Sequence, residues 1–200
     1  MRVTITFHGP FRVATGTGRP GVHATVDEHD LLPASTLKGI MRDSAERLLP
    51  GAPGLVTAVF GGRRQPTPWA WEGARFPDEA PVVRMRAQVS LDEETGAAKR
   101  DHLLLGEDVW ARSAVFDIVQ YGPLPHARFA GSSGSGRPPL SRDDHLAVLA
   151  CAAAGVHSLG AGRRRGLGWV RCEPTDPAVD DGLLAHFAAL AAREGEDRHA

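Results

Sequence analysis

The segment that organises this chain is Gly160-Ala161-Gly162-Arg163-Arg164-Arg165-Gly166-Leu167-Gly168, in which four glycines bracket three consecutive arginines. Short apolar runs flank it at 156–159 and 169–172, and both are predicted to be strands. Glycine allows φ > 0 and a close approach to a ligand, and the guanidinium fork donates two hydrogen bonds at once to a phosphate. The segment therefore predicts a loop that contacts a polyanion backbone, although a solvated basic hairpin fits the same pattern.

The composition places this loop in a nearly neutral protein. The 200 residues carry 23 Lys and Arg against 24 Asp and Glu, a formal net charge of −1, so any nucleic-acid site must be local. No apolar run approaches the roughly 20 residues that cross a bilayer. The two isolated cysteines give neither a disulfide framework nor a zinc site. We therefore expect a cytoplasmic protein with no membrane partner and no cleaved signal peptide.

The first predicted helix is a second candidate anion site. Ser35 is predicted to be the N-cap of a helix over 36–49, which Pro50-Gly51 ends. Lys38 and Arg42 lie one turn apart on the polar side of this helix, near an N-terminus that itself favours anions. This spacing predicts phosphate contacts, and ordinary solvated charges fit it as well. We expect this helix start and the glycine loop to fold together into one cationic cradle.

The whole chain, residues 1–200, is predicted to be one α+β domain. Predicted strands and helices follow one another along it: strands at 2–7, 81–91, 99–110, 114–121, 156–159 and 169–172, and helices at 36–49, 142–154 and 179–193. A capping box, Ser141-Arg142-Asp143-Asp144, is predicted to start the second helix. This order suits a ferredoxin-like or RRM-like antiparallel sheet with helices on one face.

An insertion of about 61–130 is predicted to interrupt this sandwich. It includes a protruding hairpin at about 84–112, whose tip is too polar to be core. The glycine- and serine-rich run that follows, at 131–137, predicts a flexible loop. Of two tryptophans near the candidate sites, Trp110 on the hairpin is the candidate for stacking on a base, and Trp169 is predicted to pack into the core.

Three separated stretches resemble one protein family. Residues 32–42, Leu-Pro-Ala-Ser-Thr-Leu-Lys-Gly-Ile-Met-Arg, are similar to the P-x-S-S-L-K-G-x-x-R signature of RAMP-superfamily subunits in type III CRISPR effector complexes. Phe60-Gly61 resembles the F-G that follows this signature, and residues 84–98 resemble the family pattern R-x-x-V-x-I-D-R-x-T-G-x-A. The loop at 160–168 resembles the C-terminal glycine-rich loop of the family. The order and spacing agree over most of the chain, which is therefore identified by resemblance as a backbone-like RAMP subunit.

The resemblance implies an RRM-like domain that binds a CRISPR guide RNA in antiviral defence. The segment at about 84–112 would form a thumb-like β-hairpin that wedges into the guide–target duplex. The implied partners are guide RNA, complementary target RNA, neighbouring RAMP subunits and a large CRISPR effector subunit. The implied RNA-binding residues lie in the first helix, the hairpin and the glycine loop: Ser35, Lys38, Arg42, Arg84, Arg86, Gly162, Arg163, Arg164, Arg165 and Gly166.

The loop before the first helix decides whether the chain is also an endoribonuclease. In target-cleaving relatives an aspartate in this loop supports metal-dependent cleavage. The loop here offers Asp27 and Asp30, and Asp27 is the candidate catalytic and Mg²⁺-binding residue, although it also fits a second, structural acid that precedes the proline in the family pattern. The loop is shorter than the family pattern, and His23 lies near the expected position of the aspartate, so cleavage stays open. One alternative is a metal-independent guide-processing endonuclease that uses His23 or His29. Another is a scaffolding subunit without catalysis.

Overall fold

The structure, a computed structural model, describes residues 1–124 and 139–195, so the predicted flexible loop at 131–137 lies outside the described residues. Its strands are β1 (Arg2–Phe7), β2 (Trp69–Trp71), β3 (Val82–Leu91), β4 (Ala98–Trp110), β5 (Ser113–Gln120) and β6 (Val170–Thr175). Its helices are α1 (Ala34–Leu48), α2 (Pro53–Phe60), α3 (Arg142–Ala154) and α4 (Asp181–Gly195). Within the described ranges, no helix combines the length and the apolar character that a membrane span requires.

Four of the strands form one antiparallel sheet in the order β2-β5-β1-β6. Successive side chains of a strand point to opposite faces, and in β1 the alternate residues Val3, Ile5 and Phe7 are buried. They belong to the same hydrophobic cluster as Leu37 of α1 and Leu149 of α3, so the helices cover this face of the sheet. The predicted fold class, an α+β antiparallel sheet with helices on one face, is confirmed.

The start of α1 differs from the prediction because Pro33, not Ser35, is the residue that precedes the helix. Pro33 is extended, with φ −65° and ψ 152°, and its carbonyl accepts the first helical hydrogen bond from Leu37 N at 3.1 Å. The proline ring fixes this φ, and its missing N–H is not needed at a helix start. Ser35 lies exposed in the first turn and caps nothing. The capping box predicted at Ser141 does form, with hydrogen bonds of 2.7 and 3.1 Å to Asp144.

Two other predicted elements are wrong in detail. The predicted strand at 156–159 is reduced to one isolated bridge, Ser158 with Trp169. Gly160, at φ 74°, turns the chain away before a ladder can extend. In α4, the apolar spacing predicts that Leu184 faces the core, but this side chain is 48% exposed, whereas Leu190 is 4% exposed. The helix therefore contacts the core along a narrower stripe than its apolar residues predict.

Within the described residues, β3 and β4 form a two-stranded ladder with each other, separate from the four-stranded sheet. The pairing runs from Val82 opposite Trp110 to Val89 opposite Leu103. At its base, the hairpin is joined to the segment after β1 through the bridge between Phe11 and Val109. Towards its tip the side chains are exposed, with Val89 at 52% and Leu103 at 55%. In the part of the chain that the structure describes, the hairpin is therefore attached to the core at its base and exposed at its tip.

Candidate nucleic-acid interface

The glycine loop presents its three arginines to solvent on a defined turn. Arg163–Arg165 form a single 3-10 turn between Gly162 and Gly166, whose backbones are both left-handed, at φ 73° and 77°. The backbone N–H of Arg165 donates to Gly162 O at 2.7 Å and closes the turn. The three arginine side chains are exposed, and none of them forms an ion pair with any described residue. The loop therefore carries three positive charges that the described residues do not neutralise.

Close backbone packing fixes both ends of this loop. A Cβ on Gly160 would lie 2.2 Å from the carbonyl oxygen of Arg12, and one on Gly168 would lie 1.9 Å from that of Leu159. Both glycines also have positive φ, at 74°. Gly168 N donates to Pro10 O at 2.8 Å. Only glycine allows this approach of two backbones, so the loop is held against the segment that follows β1.

Arg12 connects the glycine loop to the base of the hairpin through a buried ion pair. Its carbonyl oxygen accepts from Ala161 N at 2.7 Å, and its Nη2 donates to Asp108 Oδ1 at 2.6 Å. The side chains of Arg12 and Asp108 are 9% and 2% exposed. Arg12 Nε also donates to the carbonyl oxygen of Glu107 at 2.7 Å. Because separating a buried pair leaves a desolvated charge without a partner, this pair holds the loop and the hairpin in one arrangement.

The loop that carries Asp27 is tied to the same strand. The carboxylate of Glu107 accepts from the Arg19 guanidinium and, at 3.0 Å, from Val26 N. Asp27 follows at once and is exposed, and its Oδ1 accepts from His29 N at 2.9 Å. The described residues contain no group of three or more His, Cys, Asp or Glu that could hold a metal ion. One exposed carboxylate fits Mg²⁺ only in the binding mode where water and substrate phosphate supply the other ligands.

His23 is bound to the hairpin by two hydrogen bonds. The backbone N–H of His23 donates to Leu105 O at 2.8 Å, and the imidazole Nδ1 accepts from the backbone N–H of Leu105 at 3.2 Å. With Nδ1 as the acceptor, the neutral imidazole carries its proton on Nε2. In that tautomer the nitrogen left for RNA is a donor, so His23 must change tautomer before it can act as a general base. This geometry counts against His23 as the base of a guide-processing reaction.

The cations of α1 contact their own protein. Lys38 Nζ lies 5.4 Å from the centre of the Trp71 ring. Burial, with the nearby charge of Arg42 as a smaller cause, lowers the pKa of Lys38. Arg42 Nε donates to Glu46 at 2.9 Å, and its Nη1 donates to Gly61 O at 3.3 Å. Lys38 and Arg42 are therefore partly engaged before any RNA arrives.

The two arginines of β3 that the resemblance assigns to RNA binding are also engaged, both with β4. The Arg84 guanidinium lies 5.3 Å from the ring centre of Trp110. Arg86 Nη1 lies 3.6 Å from the second carboxylate oxygen of Asp108. Arg84 is exposed, whereas the Arg86 side chain is 41% exposed and faces a carboxylate that is 2% exposed. Arg86 therefore supports the base of the hairpin in addition to its predicted role toward RNA.

The sheet register separates the strand positions next to the two predicted anion sites, and the single cradle expected from the sequence stays a prediction. Lys38 lies over Trp71 of β2, the edge strand of the sheet. Trp71 pairs with Ile118 of β5, and Ile118 in turn bonds to Met1, just before β1 begins. The glycine loop leads into Val170, which pairs with Phe7 at the other end of β1, on the β6 edge. Strand geometry puts these positions roughly 20 Å apart along the strands and roughly 14 Å apart across them. A nucleic-acid strand that contacts both positions would have to span several nucleotides.

Trp169 is a candidate functional residue that the sequence prediction wrongly assigns to the core. The prediction assigns it to the core, but its side chain is 59% exposed. The next residues alternate, with Val170 and Cys172 buried and Arg171 exposed. Trp169 therefore belongs to the sheet face opposite the helices. The period-two alternation of 169–173 is the signal that places it there.

Comparison with known proteins supports the resemblance carried by the motifs. The model of the RAMP superfamily matches residues 4–171. A chain in the cryo-EM structure of the Type III-B Cmr-beta bound to cognate target RNA has a similar fold, with a TM-score of 0.59 and 16% identity over 86% of this chain. A chain in the apo-state cryo-EM structure of Type III-B Cmr-beta has a TM-score of 0.57 and 10% identity, and the match covers 90% of this chain and 97% of that one.

The matches also differ in how much of each protein they cover. This chain spans 58% of the length of the chain that it matches in the target-bound structure. No curated protein sequence matches it. The family model nevertheless extends over most of the chain and includes all of the motif regions that carry the resemblance. The chain belongs to the RAMP superfamily.

Proposed function

We propose that this protein is a guide-RNA-binding backbone subunit of a type III CRISPR ribonucleoprotein, and that the glycine loop is its main phosphate-binding element. The observation that carries the proposal is the set of three exposed arginines that no acid among the described residues neutralises, on a backbone fixed by Arg12 and Pro10. Family membership and the fold shared with chains of Cmr-beta complexes support the assignment to this kind of complex.

The proposed contacts bind RNA without reading its sequence. Arginine forks on phosphates position a strand, and base pairing between guide and target supplies specificity. Lys38 and Arg42 form a second, weaker contact further along the guide, because a phosphate there must compete with Trp71 and Glu46. Neighbouring RAMP subunits and a large CRISPR effector subunit are the proposed protein partners, with the hairpin and the exposed Arg84 directed toward the guide–target duplex.

The test of this proposal is the salt dependence of single-stranded RNA binding. Removing one phosphate contact reduces the slope of log K against log salt by about 0.7 for single strands, so the triple variant R163Q/R164Q/R165Q is expected to lower it by about 2. A matched control, R2Q/R47Q/R142Q, changes the net charge equally at exposed arginines outside the proposed site. Equal slopes for the two triple variants, or an unchanged slope in the loop variant, would reject the glycine loop as the RNA contact.

The finer proposal is that Asp27 supports cleavage of the bound target RNA. Asp27 is exposed directly after Val26, whose N–H is fixed on Glu107, so its carboxylate is displayed from an anchored backbone. With phosphate oxygens of the RNA, Asp27 would hold a Mg²⁺ ion, which stabilises the attacking and leaving oxygens of the reaction. In such a step Asp27 would hold the ion, and the hydrogen bond from His29 N to its Oδ1 would orient the carboxylate.

A cleavage assay on the assembled complex separates the three catalytic alternatives. Target RNA paired with guide is incubated with Mg²⁺ or with EDTA, using wild type, Asp27→Asn and the neighbouring control Asp30→Asn. Loss of Mg²⁺-dependent cleavage only in Asp27→Asn supports the proposal. Cleavage of repeat RNA that persists in EDTA and disappears in His23→Ala would establish the guide-processing endonuclease instead. Intact target with wild-type protein would leave the scaffolding role.

A further inference from the structure

One large aromatic side chain beside the glycine loop has no role in the core. All four tryptophans lie within the described residues, and Trp69 and Trp71 are 1% and 9% exposed. Trp110 is 44% exposed, but the Arg84 guanidinium lies 5.3 Å from the centre of its ring. Trp169 is 59% exposed, and no cation or aromatic ring among the described residues lies against it. It is therefore the most accessible indole of the protein.

The backbone of Trp169 is held in place although its ring is free. Its carbonyl oxygen accepts from His8 N at 2.9 Å, and on its other side it forms the isolated bridge with Ser158. Gly168, immediately before it, is fixed by its bond to Pro10 and by contact with Leu159. A ring that is presented from a rigid backbone loses little conformational freedom when a flat ligand stacks on it.

The charge next to Trp169 identifies the ligand. Arg165 is four residues away, so its Cα lies within about 14 Å of that of Trp169 even for a fully extended chain. Arg163, Arg164 and Arg165 have no ion pair within residues 1–124 and 139–195. Single-stranded nucleic acid is the polymer that presents phosphates and flat, apolar bases at this spacing, and proteins bind it by combining cationic grooves with aromatic platforms.

We propose that Trp169 stacks on an unpaired base of the RNA strand whose phosphates the glycine loop binds. The inference rests on the proposed function, since it assigns a base-binding subsite next to the same loop. The indole would contact the π-face of any base, so the subsite adds affinity for single-stranded RNA without sequence preference. A strand paired along its whole length does not offer this face, so the subsite would discriminate unpaired from paired nucleotides.

The test combines protein variants with RNA that lacks bases. Binding of wild type, Trp169→Ala and Trp169→Phe is measured to oligouridine and to an abasic oligoribonucleotide of the same length. Trp169→Ala is expected to weaken oligouridine binding by about tenfold and to leave abasic binding and the salt slope unchanged. Trp169→Phe keeps most of the affinity because it retains a flat ring. Tyr121→Ala, at an exposed aromatic side chain outside both proposed sites, is the matched control and is expected to leave both affinities unchanged.

The outcomes separate this inference from the proposed function. Equal losses of affinity by Trp169→Ala for both RNAs, or no loss for either, would overturn the stacking subsite. If Trp169→Ala binds RNA normally but no longer assembles with neighbouring subunits, the ring belongs to a protein contact and the inference is also wrong. The variant R163Q/R164Q/R165Q is measured in parallel and is expected to bind both RNAs more weakly. Wild-type affinity in that triple variant would reject the proposed function.

Discussion

The glycine loop and the first turns of α1 are both basic, but they differ in what their cations contact. In the loop, Arg163–Arg165 have no ion pair in the part of the chain that the structure describes. In the helix, Arg42 bonds Glu46 and Lys38 lies over Trp71. Two clusters that look alike in sequence are therefore unequal as phosphate sites, because RNA must displace existing partners at the helix and none from the described residues at the loop.

The two regions also differ in how they are built. A helix brings residues four apart onto one face, so Arg42 and Glu46 meet through local geometry alone. The loop has no such period, and its shape comes from contacts with Pro10, Arg12 and Leu159, of which the first two are remote in sequence. Where tertiary contacts fix the backbone, the side chains of the loop are left free to bind a ligand.

The strongest test of this difference in construction is Gly168→Ala. The new Cβ would lie 1.9 Å from the Leu159 carbonyl oxygen at a residue with φ 74°. A shift of Gly168 would disturb its N–H bond to Pro10 O, and a shift of Leu159 would disturb its N–H bond to Gly168 O. We expect the free energy of unfolding to fall by about 4 kcal/mol. Gly166→Ala is the control, because Gly166 has φ 77° and nothing within 4 Å of a Cβ. This variant should suffer only the left-handed backbone strain, about 1 kcal/mol.

Urea denaturation of the two glycine variants measures these destabilisations directly. A Gly166→Ala variant that is as unstable as Gly168→Ala would show that backbone strain alone, and not packing against Leu159, decides which loop positions need glycine.

A second test compares the ion pairs of the two regions. Asp108→Asn leaves the Arg12 guanidinium buried without its counter-ion, and we expect it to lower the free energy of unfolding by about 3 kcal/mol. Glu46→Gln breaks an exposed pair, whose side chains are 41% and 54% exposed, and should cost less than about 1 kcal/mol. Chemical denaturation of both variants at the same pH gives the comparison. Similar destabilisation of the two variants would mean that the pair under the glycine loop is no more than a surface contact.

The third test removes the competitor at the helix. Glu46→Gln frees Arg42 for a phosphate, so RNA affinity at low salt is expected to rise by about twofold, the size of one helical ion pair. Asp43→Asn is the matched control, since it frees Arg47 from the same kind of pair, at 2.6 Å, outside the proposed site. A gain of equal size in both variants would reflect net charge alone and would remove α1 from the interface.

Local sequence signals predict the elements and miss the contacts that join them. The period-two pattern of 2–7 and the Ser141 capping box predict β1 and the start of α3 correctly, because both depend on neighbouring residues. The helix α2 escapes prediction, since seven of its eight residues are apolar or glycine or proline and show no helical period. The Arg12–Asp108 pair joins residues 96 apart in sequence, and no spacing rule relates them.

In the candidate site, too, local sequence predicts some features and contacts between distant residues decide the others. The arginines of the glycine loop follow from composition and spacing, because a glycine-bracketed basic turn is a local pattern. The tautomer of His23 depends on Leu105 N, and the partial engagement of Arg86 depends on Asp108, both set by the attachment of the hairpin. Trp169 is misplaced for a different reason, because a large apolar residue is assigned to the core although its strand alternation indicates the other face.

The smallest expected effect concerns Lys38. The chain has two lysines, Lys38 and Lys99, so reductive ¹³C-methylation gives two lysine resonances, besides that of the N-terminal amine, which can be followed through a pH titration. Burial lowers the pKa of Lys38. The unfolded chain therefore holds this proton to higher pH than the folded protein, and stability rises with pH between the two pKa values.

If a phosphate of bound RNA reaches this amine, its negative charge favours the ammonium form and must raise the pKa of Lys38 again. Lys99, on the exposed part of the hairpin, gives the second resonance from a different region of the protein. If RNA does not change the pKa of Lys38, the glycine loop is the phosphate contact and the α1 site is not. A return toward the ordinary lysine value would show that the helix patch, although partly engaged in the free protein, exchanges its own contacts for the RNA strand.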